Sequence, residues 1–143
     1  MRRLFFTLNA ALTLPFGVLG LVAPCPLFAP FDISLDASGE LIARGYAATL
    51  FGFGLLYWVL RKTTDRMVAR AMLGAGLSFN AIEVLIQTQA ALSGVAAGVI
   101  WVTVGAHAAM ILLCVAAFAR EPAAGAPRTA SPSTAPEAPP AKY

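Results

Sequence analysis

Apolar residues in this chain collect into four long stretches, from about Leu4 to Ala23, Leu41 to Leu60, Ala71 to Leu92 and Val95 to Ala119. Each is about 20 residues or more, and a helix rising 1.5 Å per residue crosses a hydrocarbon core of about 30 Å at that length. The pattern predicts an all-α protein, an integral membrane antiparallel four-helix bundle. The segment 24–40 joins the first two spans, 61–70 joins the second and third, and a tight turn at Ser93-Gly94 makes the last two antiparallel neighbours. Proline placement fits this division. Pro15, Pro24, Pro26 and Pro30 fall early, the other six follow Glu121, and none lies between, which suits three uninterrupted helices. Pro15, inside the first span, frees a carbonyl that a neighbour or Thr13 has to satisfy.

Polar positions inside the spans carry the remaining signal. Gly76, Asn80, Glu83 and Gln87 recur at i, i+4, i+7 and i+11, within about 60° of one another on a helix. Thr103, His107, Met110 and Cys114 make a matching stripe on the last span. Ionisable groups in a membrane helix cost about 2.5–3.5 kcal/mol each on insertion scales, so Arg44, Glu83 and His107 are expected to turn inward. Arg44, reaching down from the second span toward Gln87 and Glu83, completes an expected cluster of Arg44, Asn80, Glu83, Gln87 and His107. Two roles stay open for it: a network that fixes helix register, or a ligand or proton site.

Charge placement gives the threading. Arg2 and Arg3 precede the first span, Arg61, Lys62, Arg66 and Arg70 fill the second link, and Arg120 follows the last span. Residues 24–40 hold Asp32, Asp36 and Glu40 with no Lys or Arg. Basic residues flanking membrane helices stay on the cytoplasmic side, so both termini are expected inside and 24–40 outside. A bacterial inner membrane is the expected location. Composition agrees: 59% of the 143 residues are hydrophobic, 12% are charged, and mean hydropathy is +0.76. A soluble domain is nearer a quarter charged. Basic residues at span boundaries form no aromatic-interleaved patch, which excludes a nucleic-acid partner. The expected partners are membrane lipid, other integral membrane proteins or a second copy of the chain.

Met1-Arg2-Arg3 before an apolar run resembles a signal peptide. The run exceeds the usual 7–15 residues and Pro24 blocks small-x-small cleavage at the Cys25 border, so the span is expected to be retained. The cysteines offer no internal disulfide. Cys25 lies at one end of the first span and Cys114 deep in the fourth, on the order of 20 Å apart, whereas a disulfide needs Cα atoms about 4.4–6.8 Å apart. His107 alone cannot supply both axial ligands of a haem, and the chain shows no Cys-x-x-Cys-His and no metal-ligand spacing. No nucleophile or phosphate cradle accompanies Glu83 and His107, so no catalytic residue, metal or cofactor is assigned.

Ser38 is the expected N-cap of the second span, and Asp65 that of the third. Small residues at helix-contact spacing, Gly17 and Gly20 in the first span and Gly45, Thr49 and Gly52 in the second, are expected to allow close backbone approach. Tyr57, Trp58 and Trp101, near span ends, are expected as interfacial anchors. The Pro- and Ala-rich segment 121–143 has no apolar periodicity and is expected to be a disordered cytoplasmic tail.

Val22-Ala23-Pro24 closing the first span, Ala43-Arg44-Gly45-Tyr46-Ala47-Ala48 opening the second and Gly54-Leu55-Leu56-Tyr57-Trp58 ending it resemble small bacterial four-helix membrane proteins, the DoxX-like group among them. The likeness covers about residues 4–119. It implies a four-helix bundle in a bacterial inner membrane, in families often without a known activity and in part associated with redox or quinone-linked chemistry. Three functions are therefore carried forward. The leading one is a non-catalytic accessory or assembly subunit packing against membrane proteins or lipid. The second is a binder or transporter of a small hydrophobic or anionic molecule, quinone or lipid, through Arg44 and Glu83. The third is a component of a membrane oxidoreductase.

Overall fold

The computed structural model describes residues 1–120, so the expected tail, 121–143, lies outside the described residues. Helix α1 covers Arg2–Val22, a short α2 covers Pro24–Phe28 and a single 3-10 turn covers Ala29–Phe31. Three long helices follow: α3 over Ala37–Leu60, α4 over Arg66–Leu92 and α5 over Ile100–Ala119. Three helices, α1, α4 and α5, are long and apolar enough to cross a membrane. The other long helix, α3, has 24 residues, but Glu40, Arg44 and a run of Gly, Tyr and Trp positions dilute its apolarity.

Three helix boundaries have a clear local cause. Asp36, not Ser38, caps α3, its Oδ1 accepting from the Gly39 N–H at 2.6 Å. Ser38 already lies in the first turn, while Asp36 has the extended backbone a cap requires. Asp65 caps α4 as expected, accepting from the N–H groups of Met67 and Val68. At the far end of α4, Gly94 takes φ +72° and its N–H donates to Ala91, while the Val95 N–H donates to Ala90. This is a Schellman closure, for which glycine carries no Cβ penalty. The connection then runs on to Val99, so α5 starts at Ile100, five residues later than the apolar pattern suggested. Within α1, the Thr13 hydroxyl donates to the Asn9 carbonyl at 2.7 Å, two residues before the carbonyl that Pro15 frees.

Helices α1 and α3 pack antiparallel along a seam of small residues. Buried Ala10, Thr13, Gly17 and Gly20 of α1 oppose buried Ala43, Ala47, Leu50 and Gly54 of α3. A Cβ added at Gly17 would stand 2.7 Å from the Phe51 backbone nitrogen, and one at Gly20 would stand 2.7 Å from the Ala47 Cβ. Gly45 and Gly52, expected at this contact, have nothing within 4 Å. Two residues along a helix are about 200° apart, so once the Ala43–Ala47 face turns to α1, the Gly45–Gly52 face turns away.

The second pair is α4 with α5, and α1 touches α5 to join the pairs. The main core lies toward one end, where Phe5, Phe6, Ala10, Tyr57, Leu73, Met110, Cys114 and Ala117 cluster. Tyr57 is therefore a core residue, 2% exposed, not an interfacial one, because it continues the inward face of Ala43, Ala47, Leu50 and Gly54. Trp58, one residue on, is 46% exposed. Antiparallel order gathers Arg2, Arg3, Arg61, Lys62, Arg66, Arg70 and Arg120 at the core end, hereafter the basic end. The opposite, loop end holds segments 23–36 and 93–99, which meet where the Ala97 N–H donates to the Phe31 carbonyl at 2.7 Å.

Candidate functional site

The inward stripe of α4 and the facing stripe of α5 form two adjoining polar groups. In the deeper one, Asn80 is 2% exposed. Its Nδ2 donates to the Gly76 carbonyl at 2.7 Å, which leaves Oδ1 as the acceptor facing His107 Nδ1 at 2.8 Å. With that amide orientation, Nδ1 of His107 carries the proton. Phe79 lies edge-on to the imidazole at 6.0 Å and stacks in turn on Phe53 of α3. The histidine ring is thus fixed by one hydrogen bond and one aromatic neighbour.

One turn toward the loop end, Gln87 Nε2 donates to Glu83 Oε2 at 2.8 Å. Tyr46 of α3 donates its hydroxyl to Glu83 Oε1 at 2.7 Å. Thr103 Oγ1 lies 2.6 Å from Gln87 Oε1 and 2.7 Å from the Ile100 carbonyl, with a single proton to serve both. A continuous chain, Tyr46–Glu83–Gln87–Thr103, therefore ties α3 to α4 and α4 to α5. Both Glu83 oxygens accept from neutral donors.

Arg44 stands apart from this group. Its Nη1 pairs with Glu40 Oε2 at 2.9 Å, one turn earlier on the same helix. The expected reach to Glu83 and Gln87 is not made, for two reasons. Glu40 at i−4 is the nearer carboxylate. Moreover, Tyr46 is the α3 residue turned toward α4, and Arg44, about 200° away, turns from it. Glu40 also accepts from Cys25 Sγ at 3.3 Å, so α2 joins this outer pair. The Glu40 carboxylate that accepts from it holds the Cys25 thiol above its usual range, with some help from desolvation.

Of the five residues singled out in sequence, the structure brings Asn80 to His107 and Glu83 to Gln87, and leaves Arg44 with Glu40. Tyr46 was missed as a site residue. The signal for it was depth: an antiparallel α3 places a tyrosine opposite Glu83. Among the described residues, no three His, Cys, Asp or Glu side chains converge as metal ligands. Two concavities lie at the ends of the molecule, away from this network. One, of about 430 Å³, is lined by Cys25, Ala29, Asp32, Ile33, Ser34 and Leu35. The other, of about 320 Å³, is lined by Met1, Arg2, Arg3, Ala117 and Arg120. In comparison with known proteins, no family model, curated protein or solved structure matches the chain.

Proposed function

We propose that this chain is a multi-pass protein of a bacterial inner membrane, threaded four times as an antiparallel bundle with both ends cytoplasmic. Its role is that of a non-catalytic accessory or assembly subunit, packing against lipid and other integral membrane proteins. One observation carries the reading: the helices turn large apolar side chains outward while their interior polar groups bind one another. Leu41, Leu85, Val102 and Leu112 are each at least 70% exposed, one or more on every helix from α3 to α5. In water such a surface would drive aggregation; in hydrocarbon it is the ordinary outer face. Inside, Tyr46 with Glu83, Gln87 with Thr103 and Asn80 with His107 each pair across two helices, which is what register-fixing polar residues do in a bundle. The sequence resemblance to small four-helix membrane proteins points the same way. Binding of a quinone or an anion through an Arg44–Glu83 pair is the weaker reading, because that pair is not made.

Fractionation with cysteine labelling tests the threading. The chain is expected in the membrane pellet after alkaline carbonate extraction. A membrane-impermeant maleimide applied to intact spheroplasts should label Cys25 and spare the buried Cys114. Labelling of Cys25 only in inside-out vesicles would reverse the orientation, and release by carbonate would remove the membrane reading altogether.

A further inference from the structure

The basic end is not a uniform ring of charge. Arg61 lies over the Trp58 ring, 3.6 Å from its centroid, and donates to the Trp58 carbonyl. Arg70 lies over the Phe118 ring. Arg2 donates through Nη2 to the Thr63 carbonyl at 2.7 Å, which ties α1 to the 61–65 turn. Arg3 and Arg120 have neither a ring nor a carboxylate within contact range among the described residues. Both line the cleft of about 320 Å³ between the first turn of α1 and the last turn of α5, with Arg2 as the third wall and Ala117 as an apolar side.

Two uncommitted guanidinium groups, those of Arg3 and Arg120, share one small concavity whose described lining contains no acid. The first turn of α1 adds to the positive field, since it carries no acidic residue and its N-cap offers no side-chain acceptor. Guanidinium forks match the paired oxygens of a phosphate, and the cleft is large enough to admit one. It sits at the ends of two apolar helices, at the depth where lipid phosphates lie if those helices span the bilayer. We propose that this cleft binds the phosphate of an anionic phospholipid headgroup in the cytoplasmic leaflet, held by Arg3 and Arg120. The inference rests on the membrane-spanning reading above.

The test uses the full chain, purified in mild detergent and incubated with mixed micelles of phosphatidylglycerol and phosphatidylcholine. Bound lipid is read by native mass spectrometry. A charge-assisted contact to a bound phosphate is worth about tenfold or more in affinity, so Arg3→Gln with Arg120→Gln should lower bound phosphatidylglycerol by at least about tenfold. Phosphatidylcholine should be unaffected. Arg61→Gln with Lys62→Gln removes the same charge from the same end outside the cleft and should leave phosphatidylglycerol bound. Arg3→Lys with Arg120→Lys keeps the charge, and its partial retention of the lipid is expected even if the glutamine pair fails to fold. Equal losses in the cleft and control pairs would overturn the site. Competition by millimolar inorganic phosphate would reassign it to a free anion, and displacement by an acidic peptide alone would reassign it to a protein partner. Carbonate extraction of the membranes from which the chain is purified separates the two claims. A chain that stays in the membrane but is indifferent to Arg3 and Arg120 sinks the lipid site alone, whereas a chain released by carbonate sinks the spanning reading first.

Discussion

Tyr57 shows how little a hydroxyl contributes when nothing answers it. The ring fills the core among Phe5, Phe6 and Phe53, meeting Phe5 edge-on at 6.0 Å, yet its hydroxyl has no hydrogen-bond partner among the described residues. Leaving a buried donor unmet costs about 1–3 kcal/mol, so Tyr57→Phe is expected to hold or raise the melting temperature in detergent, followed by helical circular dichroism. A clear fall would mean the hydroxyl has found a partner. Gly17 is the opposite case. A methyl there meets backbone, not a movable side chain, and Gly17→Ala should destabilise by about 1–3 kcal/mol. Gly52→Ala, with open space around it, should be neutral or gain up to about 1 kcal/mol from helix propensity. If both substitutions behave alike, the α1–α3 seam is wrongly placed. At Cys25, reaction with maleimide requires the thiolate. Because the Glu40 carboxylate raises the thiol pKa, alkylation should lag an unperturbed cysteine near neutral pH and recover as pH rises. Glu40→Gln should shift that profile to lower pH, and an unchanged profile would exclude the contact.

Among the helices, α3 is the one whose partners decide the fold. Its Tyr46 bond to Glu83 crosses to the other pair, whereas its Arg44–Glu40 bond stays within one helix. A double-mutant cycle of Tyr46→Phe with Glu83→Gln should therefore show coupling of about 0.6 kcal/mol, the average for hydrogen bonds between membrane helices, and no more than about 1.7 kcal/mol. Arg44→Ala with Glu83→Gln should be additive. Coupling in the second cycle and none in the first would restore the pairing that sequence alone suggested. That error has a definite origin. Helical periodicity places Asn80, Glu83 and Gln87 on one face without reference to any other helix, so the α4 stripe was legible. Which face of α3 meets which neighbour depends on a choice between two stripes of small residues two positions apart, and composition does not rank them. The start of α5 was misread for a related reason. Val95-Ala96-Ala97-Gly98-Val99 is apolar throughout, but apolarity does not distinguish a helical turn from a closed connection, and Gly94 in the left-handed region sets the chain's direction there.

For the whole molecule, the placement of basic residues at both ends of the apolar region and on the 61–70 connection was enough to tell which helix ends lie together. It was legible because it depends only on sequence position. The distribution of packing between the two ends was not, since every span looks equally apolar along its length. Buried aromatic and sulfur side chains gather at the basic end. Across the two helix pairs at the other end run the Tyr46–Glu83 bond, the Ala97–Phe31 bond and the Phe53–Phe79 stack midway.

The Ala97–Phe31 link has a consequence of its own. Because it is formed by main-chain atoms, no side-chain replacement short of proline at Ala97 removes it, and it ties together the tips of the two helix pairs, opposite the aromatic core. With the aromatic packing gathered at the opposite end, that backbone bond holds the connecting segments 23–36 and 93–99 against each other.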